Sequence, residues 1–352
     1  MKNEATNSEE YSWVVIDFEW NQPIPWLKSK VPPKDLPGEI IEIGAVKLVK
    51  DGSGYRIDSK RVFRRLVRPV CYTIMNRNVS QVTQRVTSDL GRGADFVRVY
   101  EEFREWCGPN AILCGWSGSD LPMLKSNLAF HGLDTRLRLR FMDVQRIFSL
   151  VAEGSSRQRS VEYAVDFFRI PKKKIFHEAY QDAYYTAGIL AELLVIVEKE
   201  GLPESGSSHT KARKGDLQSL APFIVDPDIR TEISAATKSF SSWAECVADT
   251  AREQAYCPAC GAPLKADIVW FSLGRSAFSL WQCEEHFSVY GRMRMKKTPQ
   301  QQIFGALKFK IDGAVGENLI REKKAEFDLY GEKGAPRPEV VDKERAEPPA
   351  SS

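Results

Sequence analysis

Val14-Val15-Ile16-Asp17-Phe18-Glu19 is a run of β-branched and apolar residues that ends on two acids. Residues 13–18 read as a strand buried on both faces, because an unbroken Val- and Ile-rich run leaves no face for water. Positions i and i+2 of a strand point the same way, so Asp17 and Glu19 leave it side by side and can share a metal ion. Two like charges crowded at a buried strand end are costly without a cation. An Asp-x-Glu pair also suits a strand running out into solvent; its position at the end of an apolar strand is what points to a site.

Two further stretches supply partners. Asp120 closes Gly115-Trp116-Ser117-Gly118-Ser119-Asp120, between a short buried strand expected at 111–114 and a helix expected at 121–130. An acid there also complements a helix dipole. His177-Glu178-Ala179-Tyr180-Gln181-Asp182 leads into a helix expected at 180–198. His177 and Asp182 would not face the same way on one continuous helix, and converge if His177 sits in the loop before it. Four carboxylates and one imidazole are the set a two-metal phosphodiester hydrolase needs: hard oxygen ligands for two divalent cations and a base for water. Asp143, in Phe141-Met142-Asp143-Val144, reads as a helix cap outside the site.

Strands are expected at 40–49 and 61–67 around the turn Asp51-Gly52-Ser53-Gly54, making an antiparallel meander with the first strand. Helices expected at 96–106, 144–151 and 161–168 alternate with later strand, which lays helices against the sheet. The 352 residues are 43% hydrophobic with a net charge of +3, a mildly basic balance that permits a polyanionic partner. No apolar leader follows the polar first residues, and the longest apolar stretch, 187–197, is too short for a bilayer and contains Glu192. The expectation is a cytoplasmic protein without a membrane partner. Seven cysteines, an odd count, favour thiols and a metal over disulfides.

The composition turns to Pro, Gly, Ser, Thr and Lys at 201–214, which marks a boundary. The expected organisation is a first domain at 11–200, a linker at 201–240, a second domain at 241–330 and a disordered tail at 331–352. Ser241 or Ser242 would cap a helix at 243–252. Cys257-Pro258-Ala259-Cys260 and Cys283-Glu284-Glu285-His286 are two metal knuckles, the pattern of a small β zinc ribbon holding one structural Zn²⁺. Residues 267–273 and 277–282 read as a hairpin turning at Gly274-Arg275. Trp270, Phe271, Phe278, Trp281 and Tyr290 crowd this region, and Arg292, Arg294, Lys296 and Lys297 follow. A basic strand face beside aromatic rings suits single-stranded nucleic acid, and a ribbon core with a solvated edge accounts for the same residues. Lys172-Lys173-Lys174 is open to the same two readings.

Together these residues resemble the DEDDh branch of the DEDD exonucleases over roughly residues 11–200. Val14-Val15-Ile16-Asp17-Phe18-Glu19-Trp20 matches that family's first block, Glu39-Ile40-Ile41-Glu42-Ile43-Gly44-Ala45-Val46 its second strand, and His177 ahead of Asp182 its histidine subtype. Within the family the likeness is to the KapD group and to the exonucleases that trim histone mRNA and small RNAs, which share the Pro-rich insertion at 21–38 and the tryptophan at Trp116. The chain departs from many relatives in having Trp116-Ser117-Gly118-Ser119-Asp120 where they have Asn-x-x-Phe-Asp, which touches substrate choice rather than the acid itself.

The resemblance implies an α/β, ribonuclease-H-like fold, a mixed sheet flanked by helices. It implies hydrolysis of single-stranded RNA or DNA from the 3′ end to nucleoside 5′-monophosphates, with RNA favoured. Asp17, Glu19, Asp120 and Asp182 would hold two Mg²⁺ or Mn²⁺ ions, and His177 would take the proton of the attacking water. Phe18, Trp20, Asn21 and Trp116 would lie near the substrate, although Phe18 and Trp20 suit core packing equally well. The alternative is a catalytically silent nucleic-acid-binding or scaffolding protein on the same fold.

Overall fold

A computed structural model describes residues 12–29, 36–52, 54–155, 157–172, 177–201, 220–221, 223–311 and 313–334. Lys173 and Lys174, most of the Pro/Gly/Ser-rich stretch after 201, and the tail from 335 lie outside these. The described residues form two compact units, the first running up to Thr231 and including 313–318, the second made of Glu232–Ile311 and 319–334.

The first unit is the mixed α/β sheet. Its strands are β1 (Ser12–Asn21), β2 (Glu39–Asp51), β3 (Gly54–Leu66), β4 (Ala111–Gly115), β5 (Arg140–Asp143) and β6 (Ile224–Val225), in the order β3-β2-β1-β4-β5-β6. β1, β2 and β3 form the antiparallel meander, while β4 and β5 continue parallel to β1. The helices are α1 (Arg77–Thr83), α2 (Thr87–Leu90), α3 (Phe96–Cys107), α4 (Asp120–Phe130), α5 (Val144–Val151), α6 (Val161–Phe167) and α7 (Ala179–Glu200).

β1 runs through the middle of two cores, which is why its apolar run does not alternate with polar residues. Val15 packs with Val46, Ile112 and residues of α5, α6 and α7 on one side. Val14, Ile16 and Phe18 pack with residues of α3 and α4 on the other. Asp17 and Glu19 therefore leave the strand on the α7 side. Asp143 caps α5, its Oδ1 accepting from the Arg146 N–H at 3.2 Å.

β5, β6, α1 and α2 are too short to show a period in the sequence. β6 also revises the linker expected at 201–240: Ile224 and Val225 pair with Met142 and Phe141, and Leu220 and Phe223 are buried in the core beside α7. These apolar side chains anchor the end of that stretch to the first sheet.

The second unit is a five-stranded antiparallel sheet in the order β7-β11-β10-β9-β8, larger than the hairpin expected. Its elements are β7 (Glu232–Ala236), α8 (Trp243–Thr250), β8 (Lys265–Leu273), β9 (Ser276–Cys283), β10 (Phe287–Lys297), β11 (Ile303–Ile311) and, from Leu319 on, α9 (Gly313–Tyr330). β7, within the expected linker, is an edge strand on β11. Ser242 caps α8 by accepting from the Glu245 N–H at 3.2 Å. One face of the sheet packs Trp270, Trp281, Met293 and Phe309 against Cys246 of α8. On the other, Phe271, Phe278 and Leu280 pack against Ile320 and Phe327 of α9. Among the described residues no helix is long and apolar enough to cross a membrane.

Candidate active site

Asp17 lies opposite Gly44 and Glu19 opposite Glu42 in the β1–β2 register. Gly44 is what lets α7 reach this point. A Cβ there would stand 2.1 Å from the Tyr180 nitrogen and 2.2 Å from the Ala179 carbonyl carbon, so only glycine admits the first turn of α7 onto β2. That turn delivers Asp182. Ligand oxygens of Asp17, Glu19 and Asp182 all lie within 4.8 Å of one another.

Two backbone N–H groups orient the surrounding acids. His177 donates its N–H to Asp182 Oδ2 at 3.0 Å, while Asp182 Oδ1 is buried without a hydrogen-bond partner. Phe18 donates its N–H to Oδ1 of the buried Asp120 at 3.3 Å. Asp120 is not one of the three clustered ligands, yet its charge bears on Asp17 more strongly than that of Glu19 or Asp182.

Burial, then mutual repulsion, lifts these carboxyls. Asp17 is held well above the ordinary range by burial and by the charges of Asp120, Glu19, Asp182 and Glu42. Burial with the charges of Asp182 and Glu42 pushes Glu19 up to about 8. Burial pushes Asp120 to about 7 and Asp182 to about 6, the latter against the His177 hydrogen bond that favours its ionised form. Crowded hard oxygens, unwilling to ionise together and including one orphaned buried acceptor, fit a divalent cation.

His177 sits on the exposed loop before α7 with φ +69, the left-handed region. Its charge bears on Asp182. The loop placement resolves the spacing problem posed by five residues between them, since His177 is off the helix.

Three of the four residues expected near substrate face the protein instead. Phe18 is 2% exposed and packs edge-on against Phe103, with ring centroids 6.2 Å apart. Asn21 is fully buried: its amide nitrogen donates to the carbonyls of Tyr72 and Ile74 at 2.7 and 2.8 Å, and its oxygen accepts from the Asn76 N–H at 2.9 Å. Trp116 is buried against Phe148, and its indole N–H donates to the Arg159 carbonyl at 2.9 Å. Only Trp20 is partly exposed. Asn21 thus holds the backbone at 72–76, and Trp116 that at Arg159.

Glu42 and Arg85 were not picked out from sequence. Glu42 is wholly buried, contacted at Oε2 by Arg85 Nη2 and at Oε1 by Arg64 Nε at 3.4 Å. Arg64 also pairs with Glu178 at 2.8 Å. The signal for Glu42 was present, because Glu42 and Gly44 share a strand face. Nothing in the sequence around Arg85 marks it.

In the second unit, ligand atoms of Cys257, Cys260, Cys283 and His286 lie within 4.8 Å of one another. The first knuckle turns at Gly261, with φ +72, and is closed by the Cys257 N–H on the Ala262 carbonyl at 2.9 Å. The second lies where β9 turns into β10. Cys260 and Cys283 sulfurs are 3.7 Å apart, and Cys283 Sγ is 3.8 Å from His286 Nδ1. Soft thiolates with one imidazole fit tetrahedral zinc.

The family model described as Exonuclease matches residues 14–190. No curated protein matches the chain. Among solved structures, cell-death related nuclease 4 is 16% identical with a TM-score of 0.45, over 61% of this chain and 79% of its own. A 3′-exonuclease described in specific recognition of the 3′ end of histone mRNA stem-loop is also 16% identical with a TM-score of 0.45, over 58% and 94%. E. coli exonuclease I in complex with a dA16 oligonucleotide is 10% identical with a TM-score of 0.39, over 54% and 41%.

Proposed function

This chain belongs to the exonuclease family, and we propose that it removes nucleotides one at a time from the 3′ end of single-stranded nucleic acid, RNA before DNA, as nucleoside 5′-monophosphates. The observation that carries this is the convergence of Asp17, Glu19 and Asp182 oxygens within 4.8 Å at the buried end of β1. Asp17, Glu19 and Asp182, with Asp120 beside them, would hold two Mg²⁺ or Mn²⁺ ions. Bound there, the cations would supply Lewis acidity for the attacking water and for the departing 3′ oxygen.

The protein's own groups do the positioning. The His177 N–H fixes Asp182 and the Phe18 N–H fixes Asp120, so neither carboxylate has to find its orientation during turnover. His177, carried on an exposed loop beside Asp182, would accept the proton of the attacking water with its imidazole. The preference for RNA rests on the resemblance to RNA-trimming exonucleases in the Pro-rich insertion at 21–38 and in Trp116. In the second unit, Cys257, Cys260, Cys283 and His286 would hold one structural Zn²⁺.

The test is a time course with purified protein and Mn²⁺ on matched 5′-labelled single strands of RNA and DNA. A ladder shortening from the 3′ end, faster on RNA and lost in Asp17→Ala, is the expected result. Undiminished hydrolysis by Asp17→Ala would overturn the assignment, and faster DNA degradation would reverse the substrate preference.

A further inference from the structure

The second sheet has one face only half covered. α9 lays Ile320 and Phe327 over Phe271, Phe278 and Leu280, which covers the β8–β9 half, with Tyr290 at the start of β10 packed at its margin. On the β10–β11 half the same face carries Arg292, Arg294 and Lys296, at alternate positions of β10. Across the strand pair, Lys308 lies opposite Arg292 and the half-buried Phe304 opposite Lys296. Arg294 and Lys296 are exposed. Among the described residues no acidic side chain pairs with Arg292, Arg294 or Lys296, while Lys308 pairs with Glu232 at 2.6 Å.

Cations this close ordinarily recruit acids from a neighbouring strand. Here they stand in a row, and Arg292 Nε is buried with no hydrogen-bond partner. Burial and the neighbouring Arg294 charge both press against the Arg292 cation, whose guanidinium lies 6.0 Å from the Phe278 ring. Such a face suits an anion with regularly spaced charge. Alternate strand residues recur about every 6.8 Å, close to the repeat of a stretched nucleotide chain. An acidic peptide would meet the charges too, but would leave Phe304 without a stacking partner.

We propose that the β10–β11 face of the second unit binds single-stranded nucleic acid, with Arg292, Arg294 and Lys296 on successive phosphates and Phe304 against a base. The choice of occupant rests on the reading of the first unit as an exonuclease of single strands. The face is a holding surface, distinct from the carboxylates that cleave.

The full chain carrying Asp17→Asn keeps the strand intact for binding measurements. Anisotropy of fluorescein-labelled oligouridylate and oligothymidylate is followed in this background and with Arg294→Ser and Lys296→Ser added. The added pair should weaken binding at least tenfold at low salt and reduce the slope of log affinity against log salt by about 1.4, at ~0.7 per phosphate contact. Phe304→Ala should weaken it about fivefold or more. Both replaced cations are exposed, so zinc content serves as the check that the sheet stays folded. Unchanged affinity in the Arg294/Lys296 variant overturns the proposal, and so does equal competition by polyglutamate, which would assign the face to an acidic protein partner. Hydrolysis of a labelled trinucleotide by the wild-type chain is scored separately: its absence sinks the exonuclease reading and leaves the binding result standing.

Discussion

Gly44 stands where a methyl group would lie 2.1 Å from the Tyr180 nitrogen, so the α7 backbone rests directly on β2 at the position opposite Asp17. The neighbour is backbone and cannot swing aside. Gly44→Ala must lift the start of α7 and move Asp182 away from Asp17 and Glu19. The expected cost in urea unfolding is about 3 kcal/mol, the upper end for overpacking, together with a loss of nuclease activity. A variant of undiminished activity would show that Asp182 is not held through this contact.

The carboxyl cluster makes stability depend on pH in a direction opposite to that of ordinary surface acids. Glu19, Asp120 and Asp182 titrate in the folded chain near about 8, 7 and 6, against about 4 when unfolded. The folded state therefore binds more protons than the unfolded state between these values. The stability they contribute is fully present below about pH 4 and is lost as pH rises toward about 8. Zinc-loaded protein without Mg²⁺ or Mn²⁺ should melt at progressively lower temperature from about pH 5 to 8. Millimolar Mg²⁺ or Mn²⁺ should reverse that loss at the alkaline end, by about 2.7 kcal/mol at a hundredfold excess over Kd. A melting temperature that rises over this range without added cation would refute the cluster's electrostatics.

Asp17 and Glu19 could be read from sequence because a strand's period of two puts both on one face, and the same rule applied to β2 also finds Glu42 and Gly44. The knuckles carry their geometry in short local spacings, so the grouping of Cys257, Cys260, Cys283 and His286 was legible without the fold. Short elements gave no such signal: β5 holds its place by parallel pairing with β4, and β6 by antiparallel pairing with β5 beside the buried Leu220 and Phe223, which are long-range effects. Asn21 and Trp116 were placed near substrate on sequence position alone, which does not show that a loop carbonyl takes their hydrogen bonds; for Phe18 the same period of two already allowed the core packing that is found.

Glu42 is a wholly buried carboxylate beside Glu19, and Arg85 is its close counterion. Arg85→Met would leave Glu42 with the longer Arg64 contact alone. The expected loss is about 3 kcal/mol, the low end for breaking a buried pair. Adding Glu42→Gln to Arg85→Met should recover most of it, because the unpaired charge is then gone. Chemical denaturation of the two variants decides between this and a role for Arg85 confined to substrate, in which case Arg85→Met would unfold like wild type.

The four soft ligands of the second unit close on a point between the first knuckle and the β9–β10 turn. Cys257→Ser removes one thiolate and should release about one equivalent of zinc, measured by a chromophoric chelator. The second sheet should lose protection from proteolysis while the first unit keeps its nuclease activity on a trinucleotide. Unchanged zinc content would refute a Cys₃His site.

His177 touches Asp182 through its backbone N–H, so the ring's contribution can be separated from the loop's. His177→Ala and His177→Gly both preserve that N–H and both delete the imidazole. At φ +69 any residue with a Cβ, histidine and alanine alike, is strained by roughly 1 kcal/mol and glycine is not. The glycine variant should therefore melt at or above the wild-type temperature and the alanine variant close to it. Both should lose about 100-fold or more in kcat, the range for a general base, while the Mn²⁺ concentration giving half-maximal rate stays within twofold. Added imidazole should restore part of the glycine variant's rate, which a purely structural histidine would not allow. A glycine variant with wild-type kcat would take the proton-accepting role away from His177 and leave it as the loop residue that holds Asp182.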